Sequence, residues 1–191
     1  AGVRLWLLGW VVAGLALGTV HCTAMIYAQL GTVPRWSVPP TPAFFLALAL
    51  TGGLMVHQTV AGLMAGAGLL WLLMLALVLT AGIAVWWQTQ AAGARLWVEG
   101  TTLTTATGLG ARAGVRPFEP PHTGSNYLLD EMAFRVGRRR AHQLRLIGAW
   151  LGFPVPAVLV ALAWGLGAWL LLPALAAHVA GVLALRWLFF A

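Results

Sequence analysis

The segment that decides the fold is residues 18–42, which read GTVHCTAMIYAQLGTVPRWSVPPTP. It continues an apolar helix and then enters a corner rich in proline: Pro34, Pro39, Pro40 and Pro42. Proline lacks a backbone N–H and disfavours helix in the residue before it, so the helix must end near Leu30. Arg35 and Trp36 follow, and each has an apolar body with a polar tip, which suits a boundary between hydrocarbon and water. The segment therefore predicts the end of one membrane span and the start of the next.

The composition indicates an integral membrane protein. Hydrophobic residues make up 61% of the chain and charged residues 8%, whereas soluble proteins carry about 25% charged residues. The net charge of +7 is concentrated in one loop, which favours a membrane surface or an acidic partner over nucleic acid. The single cysteine, Cys22, cannot form an internal disulfide or hold an iron–sulfur cluster. Redox metals, if the function uses them, therefore belong to another chain.

Hydropathy predicts an all-α fold, a polytopic transmembrane helix bundle in a single domain. A spanning helix needs about 20 apolar residues, and five stretches of the sequence qualify. They lie at about residues 5–28, 43–63, 69–88, 144–164 and 168–190. Short links predict that the second span pairs with the third and the fourth with the fifth, as antiparallel hairpins. Both ends of the chain lie within or directly beside apolar runs, so we expect it to be part of a longer protein.

Small residues and prolines inside the spans predict how the helices pack. Small residues let helix backbones approach closely in lipid, and the candidates are Gly9, Gly14, Gly18, Gly52 and Gly53. Prolines in a helix interior produce kinks, and the candidates are Pro154, Pro156 and Pro173. Arg186 lies near the end of the fifth span, and we expect its side chain to extend outward to the membrane surface.

The main extramembrane part is the loop at residues 89–143. A helical pattern near 126–143 predicts an interfacial helix that leads into the fourth span. Ten of the eleven arginines lie on the same predicted face as this loop, and Arg4 lies on the other. The positive-inside rule places the arginine-rich face in the cytoplasm. These arginines could dock an acidic subunit or bind lipid headgroups, and the two roles are compatible.

Polar and aromatic side chains near the end of the first span could form a quinone pocket. A quinone needs an apolar slot for its tail and a few hydrogen-bonding or acid–base groups for its head. The alternative is an ordinary aromatic belt with an anchoring arginine. The candidate quinone-binding residues are His21, Tyr27, Gln29, Arg35 and Trp36.

Three histidines lie within the predicted spans: His21, His57 and His178. They do not form the repeated pair on neighbouring helices that a membrane haem would need, so we expect interhelical hydrogen bonding or quinone contact. The sequence contains no catalytic triad, nucleotide loop or carboxylate pair with metal-ligand spacing. No catalytic residue and no metal ligand is therefore predicted, and the absence of an acid within a span argues against ion transport.

Four stretches, in order along the chain, resemble the membrane anchor subunit of dimethyl sulfoxide reductase and its relatives. The first is CTAMIYA at 22–28 with VPRW at 33–36 and TP at 41–42. The others are PPHT at 120–123, NYL through EM to FRV at 126–136, and RWLFFA at 186–191.

This resemblance implies an anchor in a three-part respiratory complex of the bacterial cytoplasmic (inner) membrane. The implied partners are a molybdopterin catalytic subunit and a four-cluster, ferredoxin-type iron–sulfur subunit, besides membrane lipids. The anchor would oxidise quinol, either menaquinol or ubiquinol, without a haem, and the clusters and molybdopterin would lie in the partner chains. The family has about eight spans of the usual length, so this chain would cover the last five.

The resemblance also implies a docking platform in the loop. The docking candidates are Asn126, Tyr127, Glu131, Arg135, Arg138, Arg139 and Arg140. Well-known family members place their catalytic subunits outside the cytoplasm, whereas the arginine count puts the corresponding face inside. Three alternatives stay open: a cytochrome-type anchor with b haem, a small transporter, and a purely structural anchor.

Overall fold

The computed structural model describes residues 2–66, 68–94, 107–108 and 139–190, and these contain helices and turns but no strand. The helices are α1 (Gly2–Ala28), α2 (Thr41–Met64), α3 (Leu70–Gly93), α4 (Ala141–Gly152), α5 (Pro154–Leu166) and α6 (Leu171–Phe190). A short 3-10 helix at Ala168–Leu170 precedes α6. Five helical stretches are long and apolar enough to cross a membrane, and α4 and α5 together form the fourth. The predicted all-α class, a polytopic transmembrane bundle, is confirmed.

Four helices form the centre of the bundle. α2 packs against α3, α3 against α5, α5 against α6, and α6 against α2, while α1 packs mainly on α2. α4 lies along α6, where Leu144 packs with Leu188. The start of α4 is therefore at the same end of the bundle as the end of α6. Most of the loop predicted at 89–143, with most of its interfacial helix, lies outside the described residues.

Hydrogen bonds between hydroxyls and backbone support the contact of α2 with α3. The hydroxyls of Thr51 and Thr80 lie 2.6 Å apart, and Thr80 also donates to the Ala47 carbonyl at 3.4 Å. In lipid there is no hydrophobic force between apolar helices, so packing and such polar contacts hold the helices together, each contact contributing about 0.6 kcal/mol.

The fourth span is broken at Phe153, between α4 and α5. Phe153 has φ −134° and ψ −66°, outside the α-helical region. Pro154 and Pro156 follow directly, and neither supplies the N–H that a continuous helix would need. The kink predicted there is confirmed. Pro173 lies in the first turn of α6, where a missing N–H leaves no bond unmade, and α6 runs unbroken to Phe190.

His178 of α6 repairs the hydrogen bonding at this break. Its Nδ1 lies 2.8 Å from the Gly152 carbonyl oxygen, which in a continuous helix would accept from residue 156, a proline here. Because a carbonyl only accepts, Nδ1 must carry the proton. The observed role of His178, which is 2% exposed, is thus an interhelical hydrogen bond to a carbonyl that Pro156 leaves free.

The closest helix approach in the described residues occurs beside this break. A Cβ added at Gly181 would collide with the backbone of Gly152 and come 2.6 Å from the Leu151 carbonyl carbon. A Cβ added at Gly148 would lie 2.8 Å from the Leu185 side chain. Small residues therefore bring α4 and α6 together, as expected for helices in lipid.

Most of the glycines predicted to serve this purpose do not. A Cβ built at any of four of them meets no described atom within 4 Å: Gly9, Gly14, Gly18 and Gly53. Gly52 alone of the predicted set faces another helix, at 3.9 Å from His178 Nε2. The prediction was wrong for those four because glycine content does not reveal which side of a helix meets a neighbour.

We expect His178→Leu to lower the free energy of unfolding by about 1–3 kcal/mol, because it leaves the buried Gly152 carbonyl unsatisfied. Pro156→Ala restores a backbone N–H at that carbonyl, so the double variant should recover part of the loss. The four proteins of this cycle would be unfolded by denaturant titration in detergent micelles. Strictly additive losses would contradict the pairing of His178 with Pro156, since coupled sites differ from additivity by about 0.5–3 kcal/mol.

Candidate functional site

The candidate site lies where residues 29–40 connect α1 to α2. This connection folds into tight turns, with the Val33 N–H donating to the Leu30 carbonyl at 2.9 Å and the Trp36 N–H to the Val33 carbonyl at 3.0 Å. Pro40 precedes α2 and Pro42 lies in its first turn, where helices accept proline without losing a hydrogen bond. The prolines thus end one helix and start the next within a short connection.

Four aromatic rings stack from this connection into the bundle. Trp36 stacks on Phe189 with centroids 5.6 Å apart and planes 2° from parallel. Phe189 stacks on Trp87 at 5.3 Å, and Trp87 stacks on Phe44 at 5.3 Å. Trp36 Nε1–H also donates to the Phe189 carbonyl at 2.7 Å. That carbonyl is in the last turn of α6, where carbonyls lack intrahelical partners.

The hydroxyl of Thr41 joins this stack to the connection. It donates to the Trp36 carbonyl at 2.7 Å and accepts from Trp87 Nε1 at 3.1 Å. Thr41 is fully buried, so both bonds are shielded from water. One side chain at the start of α2 therefore ties the connection to α3.

Arg186 lies inside a cage of four rings at the same end of the bundle. Its guanidinium carbon is 4.5 Å from the ring centroid of Phe190, 5.1 Å from those of Tyr27 and Phe45, and 5.4 Å from that of Phe189. It also donates to the Tyr27 hydroxyl at 3.1 Å. These distances fit cation–π contact. The expectation that Arg186 extends outward was wrong, because the rings hold its half-buried head within the protein.

A cavity of about 190 Å³ lies between α2 and α6 next to this cage. Its walls are almost wholly apolar, and Arg186 is the charged residue among them. The lining residues are Phe44, Phe45, Leu48, Val182, Leu185, Arg186 and Phe189.

The structure brings only part of the predicted quinone set together. Tyr27 and Trp36 touch edge to face at 5.2 Å. Gln29 and His21 are exposed, and His21 is six residues before Tyr27, about 9 Å along the helix axis. Neither reaches the cage.

Arg35 lies to one side of the cage. Burial, and to a smaller extent the positive charge of Arg145, lowers the pKa of the Arg35 guanidinium, although arginine stays protonated in proteins. Its Nε is buried with no hydrogen-bond partner in the described part of the chain. None of the four acids of the sequence falls within the described residues, so the structure shows a positive edge here.

Sequence reasoning missed the residues that build the cage and the stack. The missed residues are Thr41, Phe44, Phe45, Trp87, Arg186, Phe189 and Phe190. One local signal was available, because Phe189 and Phe190 follow Arg186 by three and four residues, a spacing that places side chains together on a helix. Tyr27 and Phe45 come from other helices, and no local pattern connects them to Arg186.

The docking candidates fall mostly outside the described residues: Asn126, Tyr127, Glu131, Arg135 and Arg138. Arg139 and Arg140 are described and exposed, directly before α4. Because α4 starts where α6 ends, these arginines are at the same end of the bundle as the cage. Among residues 2–66, 68–94, 107–108 and 139–190, no group of three potential ligands could hold a metal ion.

Comparison with known proteins finds a similarity that extends over most of the chain. The chain is 31% identical over 183 residues to a membrane-complex component named as one of the subunits of sulfite dehydrogenase in Allochromatium vinosum. The match covers 94% of this chain and 55% of that protein, so the chain spans about half the length of the curated relative it matches. No family model matches the chain, and no solved structure matches it.

Proposed function

We propose that this chain is the membrane subunit of a molybdopterin oxidoreductase complex in the bacterial cytoplasmic membrane. In this proposal it binds quinone or quinol and exchanges electrons with an iron–sulfur partner subunit. The observation that carries the proposal is the similarity to a sulfite dehydrogenase subunit along 94% of the chain. Five apolar helices make a lipid-soluble electron carrier the natural reactant for such a subunit.

The direction of electron flow is part of the proposal. The relative is named a dehydrogenase, and a dehydrogenase removes electrons from its substrate. We therefore propose that a partner's iron–sulfur cluster supplies two electrons and that the quinone takes up two protons to become quinol. This is the reverse of the quinol oxidation that the resemblance to dimethyl sulfoxide reductase anchors implies.

The geometry supports a site at the arginine-rich end of the bundle. Arg139, Arg140 and Arg145 are exposed there, beside the cage that holds Arg186. An acidic partner docked on these arginines would approach the aromatic corner closely. Charge complementarity of this kind steers docking and fixes the orientation of partners.

A purely structural anchor is the second candidate, and one observation favours it. The side-chain polar atoms of Trp36, Thr41 and Trp87 are already hydrogen-bonded to one another or to the backbone. Such a joint holds helices together without needing a ligand. The two candidates differ in whether the corner affects turnover once the complex has assembled.

The test is to purify the tagged, full-length protein from its native membrane and analyse the proteins and metals that come with it. We expect iron–sulfur and molybdenum subunits in stoichiometric amounts, and quinone-dependent turnover. Trp36→Ala should lower turnover per assembled complex about tenfold or more, a loss of about 1.4 kcal/mol for each factor of ten. Trp10→Ala, which changes an exposed indole on α1, is the matched control.

Two results would count against the proposal. Purification without an iron–sulfur partner would exclude the complex. Reduced assembly with wild-type turnover per complex in Trp36→Ala would favour the structural anchor.

A further inference from the structure

We propose that the cavity between α2 and α6 holds the ring of the quinone and that Arg186 donates to a carbonyl oxygen of that ring. This inference rests on the proposed function and assigns the site within it. It replaces Arg35, the arginine that the sequence favoured, with an arginine that the sequence did not.

The size of the cavity selects a ring-sized ligand group. Its volume is about 190 Å³, whereas sites that enclose a whole ligand measure about 300–1,000 Å³. A haem or a complete lipid would not fit, but a single substituted ring would. The long tail of a quinone would then remain outside, in lipid.

The two walls of the cavity differ in burial, which indicates how the ligand enters. Phe44, Leu185 and Phe189 are buried inside the bundle. Leu48 and Val182 are half-buried and reach the outer surface of the described helices. The ring would therefore enter between α2 and α6 from the lipid side.

Arg186 supplies the polar end that a quinone head requires. A guanidinium has five N–H donors, and the described structure uses one of them on the Tyr27 hydroxyl. The four surrounding rings fix the plane of the guanidinium, so a further donor can meet an oxygen at low entropic cost. A positive charge also favours the negative charge that develops on that oxygen during reduction.

Tyr27 lies where it can assist. Its oxygen accepts from Arg186 at 3.1 Å, which leaves its own O–H free to donate. Arg186 and Tyr27 together would present two donors to one acceptor. Arg35 does not line the cavity, so it has no comparable access to a ligand there.

The experiment compares two neighbouring tryptophan substitutions on α6 in the purified complex. Val182→Trp fills the cavity, and Leu183→Trp places the same ring at a position that is 64% exposed and does not line it. We expect Val182→Trp to raise the KM for a short-tailed quinone about tenfold or more, a change of about 1.4 kcal/mol or more. It should also lower the amount of quinone that copurifies. Leu183→Trp should leave both unchanged.

Substitutions at Arg186 test the polar contact. Arg186→Gln should weaken quinone binding, and Arg186→Lys should restore it only in part, because lysine keeps the charge but lacks the planar fork. Native mass spectrometry of the complex would identify the small molecules that copurify with it, independently of turnover.

The outcomes separate this inference from the proposed function. Wild-type quinone affinity in both Val182→Trp and Arg186→Gln, in a complex that does turn over quinone, would overturn the site and leave the function. Phospholipid alone, displaced by Val182→Trp, would overturn the choice of ligand. A wild-type complex without any quinone activity would overturn the function as well.

Discussion

Gly181→Ala is expected to lower the free energy of unfolding by about 3 kcal/mol or more, at the upper end of the usual cost of overpacking. The added methyl group would meet the backbone of Leu151 and Gly152. A backbone cannot rotate away as a side chain can, so α4 and α6 would have to separate. Separation would also lengthen the bond from His178 to the Gly152 carbonyl.

Gly82→Ala is the matched control for this substitution. Gly82 lies inside α3, and a Cβ there meets nothing within 4 Å among the described atoms. Alanine is the better helix former by about 1 kcal/mol, so this variant should be as stable as the wild type or slightly more stable. Denaturant titration in micelles measures both. Equal stability of the two variants would show that α4 and α6 are not in close contact.

Trp87→Ala is expected to cost about 3 kcal/mol, the lower end of the range for removing a tryptophan from a core. The lower end applies because part of that range reflects transfer from water, and here the surrounding solvent is lipid. The indole is 1% exposed, stacks between Phe44 and Phe189, and donates to Thr41. Its loss leaves a cavity and frees the hydroxyl that holds the connection.

The neighbouring residue provides the control for that prediction. Trp86 is 47% exposed and faces outward, so Trp86→Ala should change stability by less than about 1 kcal/mol, as surface changes usually do. Thermal unfolding of both variants in the same detergent measures the difference. If Trp86→Ala cost as much as Trp87→Ala, the stack would not be the main source of stability at this end.

The sequence predicted the helices well because hydropathy is a local property. The helices nevertheless extend past the apolar spans. α3 continues to Gly93 although the polar run begins at Gln88, since polar residues outside lipid can still be helical. α2 begins at Thr41, because Pro42 is compatible with a first turn.

The site was harder to predict because its parts come from distant segments. Tyr27, Phe45 and Arg186 belong to three helices, and only their packing shows that they form one cage. The prolines at 34–42 correctly indicated a corner at the membrane boundary. They could not indicate that the end of α6 lies against that corner, because this depends on contacts between helices.

The most direct measurement is the oxidation of the partner's iron–sulfur clusters by quinone. The clusters of the purified complex would be reduced chemically, mixed with a short-tailed quinone, and followed by electron paramagnetic resonance. We predict rapid cluster oxidation in the complex that contains this chain and only slow oxidation in the partner subunits purified without it. Equal rates in the two preparations would contradict a quinone-reactive role for the membrane bundle.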